Sequence, residues 1–300
     1  MHDDASHMTI ADDDAADTTT PRWTRPLADE FDGPDFAPGG GLYYRDNYEQ
    51  SAGSIEFQHE VKRSGAGALK LSVRQIAPIV DFNHSERAEV WEKTDLRVPY
   101  GQGVWYGFAV KFADPIPDDD HRYVIAQWKR EIDPGADGNF SPFLALRLTN
   151  GKLYATIETN HIPPANGPGA LPAFMRPHAN QMRVLIATDP DWVDDDANLF
   201  RDTTTALSVT SHGNPLPSPS SGWIDFAIYT KPGPDGSGHI EIIANGKPVV
   251  TVKGPIGHAD KGLGKHQYFK LGPYRAGHSG EWSVYYDYFR RSLRREDVTG

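Results

Sequence analysis

Three hundred residues without a cysteine exclude disulfide frameworks, thiolate nucleophiles and cysteine-based zinc sites together. A hydrophobic fraction of 38% with 11% aromatics supports a packed core and excludes wholesale disorder. A net charge of −11 disfavours nucleic acid as a partner, because phosphate contacts need clustered Lys and Arg, and no apolar run approaches membrane-spanning length.

Residues 1–24 are polar and aperiodic. They carry Asp3, Asp4, Asp12, Asp13, Asp14 and Asp17 with no Lys or Arg before Arg22, which predicts a disordered acidic tail. No leader peptide is visible there, since a basic region followed by an apolar one is missing. From residue 25 to 300 the pattern predicts one domain. Short runs alternate apolar and polar residues, the strand signal: Ala68–Val73, Val104–Phe112, Phe143–Leu148, Leu153–Glu158, Trp223–Tyr229, His239–Ala244 and Trp282–Phe289. Asn150-Gly151 and Asn245-Gly246 fall between such runs and predict hairpin turns. Two stretches break the rhythm and predict long loops, 160–180 (Pro, Asn and Gly) and 189–222 (acidic, then Ser and Pro). The whole predicts an all-β sandwich or jelly roll in a single domain with long loops.

Three segments carry candidate chemistry. In Asn83-His-Ser-Glu-Arg-Ala-Glu-Val90, Arg87 and Glu89 alternate onto one strand face with His84 just before them. In Tyr123-Val-Ile-Ala-Gln-Trp-Lys-Arg130, Gln127 and Lys129 share a face, with Ala126 and Trp128 on the other. In Gln267-Tyr-Phe-Lys-Leu-Gly-Pro-Tyr-Arg275, Lys270, Gly272 and Tyr274 share one parity, and Gly272 permits a close approach of backbone or ligand. From spacing alone, each segment reads equally as an ordinary strand with solvated charges.

Arg87-Ala-Glu89, Gln127-Trp-Lys129 and Tyr268-Phe-Lys-Leu-Gly-Pro-Tyr274, in that order, resemble the strand signatures of the jelly-roll polysaccharide lyases. That group spans heparin lyase I-like, glucuronan lyase and alginate lyase families. The resemblance covers residues 27–292 and implies a concanavalin-like β-jelly roll acting on an acidic polysaccharide. It implies β-elimination at a uronate: the C6 carboxylate is neutralised, the C5 proton is removed and the O4 leaving group is protonated. By this resemblance Tyr274 is the acid, and either His84 or Tyr274 itself is the base. Gln127 and Arg87 grip the carboxylate, and Lys270 places a positive charge beside the phenol. Lys129, Glu89, Arg275, His161 and Trp128 are expected at the substrate. Where the alginate-type pattern has histidine in Gln-x-His, this chain has Lys129. Either Lys129 replaces that function or the imidazole comes from His84, with His161 in reserve.

The resemblance also implies a structural calcium between the first and last strands, with Glu30 and Asp287 as oxygen ligands. No organic cofactor, membrane or nucleic-acid partner is expected. A secreted or periplasmic monomer is. Two rivals stand beside the lyase. A lectin-like module would use Trp91, Trp105 or Trp128 as sugar platforms. A laminarinase-type hydrolase needs Glu-x-Asp-x-x-Glu, but after Glu131-Ile-Asp133 the last position is Ala136.

Overall fold

The computed structural model describes residues 20–45, 51–76, 85–136, 142–159, 182–186, 207–259 and 262–299. Eighteen strands occur among them. The first half of the chain supplies β1 (Leu27–Asp29), β2 (Leu42–Tyr44), β3 (Gly53–Gln58), β4 (Ala68–Arg74), β5 (Ser85–Arg87), β6 (Val90–Glu92), β7 (Val98–Pro99), β8 (Val104–Phe112), β9 (Tyr123–Ile132) and β10 (Leu144–Thr149). The second half supplies β11 (Lys152–Thr159), β12 (Met182–Ile186), β13 (Ser208–Ser211), β14 (Ile224–Lys231), β15 (Gly233–Ala244), β16 (Lys247–Ile256), β17 (Leu263–Ala276) and β18 (Glu281–Ser292).

These strands pack as two antiparallel sheets. The front sheet runs β12-β11-β10-β9-β17, then the short strands β5, β6 and β7 along the far side of β17, and β2 outside β6. The back sheet runs β13-β16-β15-β14-β8-β18-β4-β3, with β1 also against β18. Among the described residues the sheets are joined at one corner, where Thr159 pairs with Ile256. This is the all-β jelly-roll sandwich the alternating runs predict.

Both Asn-Gly pairs turn tight hairpins with positive φ at each residue: 46° and 69° at Asn150-Gly151, 49° and 73° at Asn245-Gly246. That is the type I′ geometry that asparagine and glycine tolerate and that matches the strand twist. Two expectations need correction. Residues 22–24, assigned to the tail, form a 3-10 turn, and the Trp23 carbonyl accepts a hydrogen bond from Arg291 at 2.9 Å. Residues 208–211, assigned to a long loop, form β13 against β16. All four β13 side chains are exposed, so no apolar alternation advertises the strand.

The core lies between the sheets. Trp128 and Phe269 from the front sheet meet Tyr106, Phe108 and Phe289 from the back. Phe269 stacks on Phe289 at 5.9 Å and tilts against Trp128 at 4.8 Å. Each such side chain contributes about 1.5–3 kcal/mol on burial. Among the described residues one ion pair crosses this layer. Glu92 of β6 accepts from Arg291 of β18, whose guanidinium also donates to the Leu96 carbonyl at 2.5 Å. Burial pushes the Glu92 carboxyl up, with Arg291 pulling it back. The layer therefore fixes the front sheet by shape and by one buried pair, leaving its outer face free for polar residues.

Candidate active site

That outer face is built where β5, β17 and β9 lie side by side. Tyr274 pairs with Arg87 on one flank and Val124 on the other, and Lys270 pairs with Trp91 and Gln127. Alternation sends Phe269 and Leu271 into the core and leaves Lys270 and Tyr274 on the opposite side. Gly272, between them, has φ 131°, and a Cβ there would stand 2.1 Å from the Ala88 carbonyl oxygen. The close approach that this glycine permits is thus of backbone: Ala88 N donates to the Pro273 carbonyl at 2.9 Å. It brings Arg87 and Glu89 onto β17.

Glu89 is the hub. It is buried and accepts hydrogen bonds from the Gln127 amide and, at 3.0 Å, from Lys270; Arg87 lies 3.8 Å away. Three predicted residues are therefore positioned by one carboxylate, and Glu89 acts through them rather than facing a ligand. Burial pushes the Lys270 ammonium down, with Glu89 pulling it up. The Arg87 guanidinium lies over the Tyr274 ring at 4.1 Å, and Arg122 over the same ring at 4.9 Å. Ser85 Oγ donates to the Tyr274 hydroxyl at 3.4 Å. The phenol is thus held by two cations at its ring and a donor at its oxygen, and its own proton can be delivered outward.

Lys129 differs from Lys270. It is half-buried, and among the described residues nothing accepts a hydrogen bond from its ammonium. Burial, then the charges of Lys270 and Arg87, lowers its pKa to about 8. An amine with a pKa this close to neutrality can exchange a proton there, which ordinary lysine cannot. Beside it runs an aromatic floor: Tyr268 stacks on Trp91 at 5.6 Å and 14°, Lys270 Nζ lies 4.2 Å from the Trp91 ring centre, and Arg97 caps Tyr268 at 4.4 Å. Burial raises the Tyr268 hydroxyl to about 12, so it stays protonated.

Other predicted residues fall elsewhere. Trp128 is fully buried in the core and offers no platform. Arg275 is buried, paired with Glu86 at 2.5 Å, and donates to the carbonyls of His278 and Gly280. Both corrections follow from strand parity, which sends residues adjacent to cleft residues to the other face. Trp105 packs against Tyr229 of the back sheet. His84 and His161 lie outside the described residues. Glu131 is held by Arg97 and His266 at 2.9 Å each, and these bonds keep its carboxyl low against the upward pull of burial. The proposed calcium pair fits poorly. The Asp287 carboxylate is taken by the backbone amides of Arg63, Ser64 and Tyr288 at 2.7–3.1 Å, and Glu30 is neutralised by Arg290. Sequence reasoning missed Arg122 and Ser85. Arg122 directly precedes the β9 run, where a lone charge reads as a strand end.

One face of an antiparallel jelly-roll sheet thus bears a phenol, an amide and four cations. The chain is a member of the polysaccharide lyase family, whose model matches residues 37–290. In structure it is similar to an endo-β-1,4-glucuronan lyase from the fungus Trichoderma reesei, at 18% identity and TM-score 0.57, over 92% of this chain and 97% of that one. It is also similar to alginate lyase Aly36B (14% identity, TM-score 0.44, 90% and 97% covered) and to alginate lyase AlyC3 in complex with dimannuronate (15%, 0.45, 91% and 90%). A search of curated proteins finds no match. The chain is thus a polysaccharide lyase on a jelly-roll fold.

Proposed function

We propose that this lyase cleaves a uronate-containing polysaccharide by β-elimination, leaving a C4=C5 unsaturated uronate at the new end. The observation that carries the reading is the Tyr274 phenol set among Arg87, Arg122, Lys129 and Lys270, with Gln127 alongside. Arg87 and the second N–H of the Gln127 amide face the C6 carboxylate and stabilise the charge that grows on it as C5 loses its proton. Tyr274 gives its proton to the departing O4. Lys129, in its neutral form, takes the C5 proton; its lowered pKa supports that role, and it stands where the alginate-type pattern has histidine.

The test is incubation with a panel of polyuronates, reading the ultraviolet absorbance of the unsaturated product. Absorbance growing with at least one of them is expected, and Tyr274→Phe should lower kcat roughly 10²–10⁴-fold. New reducing ends without absorbance would mean hydrolysis, and full activity in Tyr274→Phe would remove the central assignment.

A further inference from the structure

Asp119, His121 and His278 meet at the end of the front sheet, where β9 begins and β17 gives way to the turn before β18. None of them belongs to the group around Glu89. Their ligand-capable atoms all lie within 4.8 Å of one another, and each side chain is half-buried, so an ion has a way in. His278 Nε2 is 3.2 Å from Asp119 Oδ2, and His121 Nδ1 is 3.7 Å from Asp119 Oδ1. Two donors bound tetrahedrally to one zinc ion, each at its usual bond length, stand about 3.3 Å apart. The His278 separation is close to that value and the His121 separation exceeds it by a few tenths of an ångström, within reach of a small side-chain adjustment.

The hydrogen bonding of His278 points the same way. Its Nδ1 lies 2.8 Å from the Ser279 carbonyl oxygen. A carbonyl only accepts, so Nδ1 carries a hydrogen, and Nε2, on the Asp119 side, is the nitrogen placed to meet an ion. A carbonyl on the far nitrogen is also the customary outer support of a metal-bound imidazole.

The remaining parts are fixed in advance. His121 N donates to Asp119 Oδ1 at 3.1 Å and the Tyr123 hydroxyl to Oδ2 at 3.2 Å. Arg275 holds the His278 turn through the carbonyls of His278 and Gly280, at 3.1 and 2.8 Å. The two imidazoles pack edge to face at 4.5 Å, and the flanking Asp118 and Asp120 add negative charge. Two imidazoles and one carboxylate suit a borderline transition metal, whereas calcium prefers an all-oxygen shell.

We infer that Asp119, His121 and His278 bind a divalent transition-metal ion, zinc by preference, with the remaining coordination positions taken by water. This does not depend on the uronate reading. The test is titration of the metal-stripped full chain with zinc by calorimetry, and with cobalt(II) by visible absorption. One saturable equivalent well below millimolar is expected, with a rise in Tm and cobalt d–d bands. His278→Ala and His121→Ala should each weaken that equivalent at least tenfold and lose the bands, while His59→Ala, at another exposed histidine, should change neither. Should one variant fail to fold, the other suffices. Absence of saturable binding, or the same affinity and spectrum in both variants, would overturn the site.

Discussion

At the residue scale, the proposed chemistry turns on which protonation state each group holds. Lys129 works as a base only when neutral, and its pKa is lowered to about 8 by burial and by Lys270 and Arg87. Activity should therefore rise with pH through an apparent pKa near 8, and Lys129→Met should lose that limb along with most of kcat. Persistence of the limb in Lys129→Met would move the base to another group. The same shift acts on stability with a definite sign. Between the folded value and the ordinary lysine value near 10.4 the unfolded chain binds more protons, so this residue favours folding progressively as pH climbs through that window. Glu89 is a different case. Glu89→Gln removes the charge that positions Gln127, Lys270 and Arg87 at once, and should lower kcat more than Lys270→Ala alone. Equal losses would mean that the carboxylate does not act as a hub. That the Arg87, Gln127 and Tyr274 segments are strands was legible from their alternation, whereas their pairing side by side, with a register shift between Leu271 and Tyr274, was not. Trp128 and Arg275 were expected at the substrate although each stands one position along its strand from a residue of the cleft face, and both are buried on the other side.

At the element scale, β17 organises the front sheet, and Gly272 lets it do so. Any side chain there would need φ 131° and would meet the Ala88 carbonyl. The backbone strain alone costs about 1–3 kcal/mol. Gly272→Ala should lower Tm, and should also lower kcat although no ionisable group changes, because Arg87 and Glu89 ride on the displaced strand. A variant of normal Tm and normal kcat would show that the strands can part without harm. The hairpins could be read directly, since Asn-Gly supplies positive φ wherever it falls. β13 could not, because a strand whose side chains all face solvent leaves no periodicity to find. Nor could the joining of β5, β6 and β7 along one neighbour, which depends on contacts far apart in the chain.

At the scale of the whole molecule, charge and core set different limits. The chain carries −11 overall, yet gathers Arg87, Arg122, Lys129 and Lys270 on one face. A polyanion should be attracted there and repelled elsewhere, so KM for a polyuronate should climb as salt rises from about 0.05 to 0.5 M, with kcat changing little. A KM indifferent to salt would count against an anionic substrate. Within the core, Glu92→Ala would leave Arg291 buried without its partner, at a cost of about 3–5 kcal/mol, read as a lower denaturant midpoint. Arg275 ties these regions together. One step along the backbone from Tyr274, it clasps Glu86 of the Arg87 strand with one edge of its guanidinium and the His278 turn with the other. An ion bound at the sheet end and a polymer bound on the sheet face would share that clasp, and any coupling through it is reciprocal. Whatever factor the ion applies to the grip on the polymer, the polymer must apply to the grip on the ion.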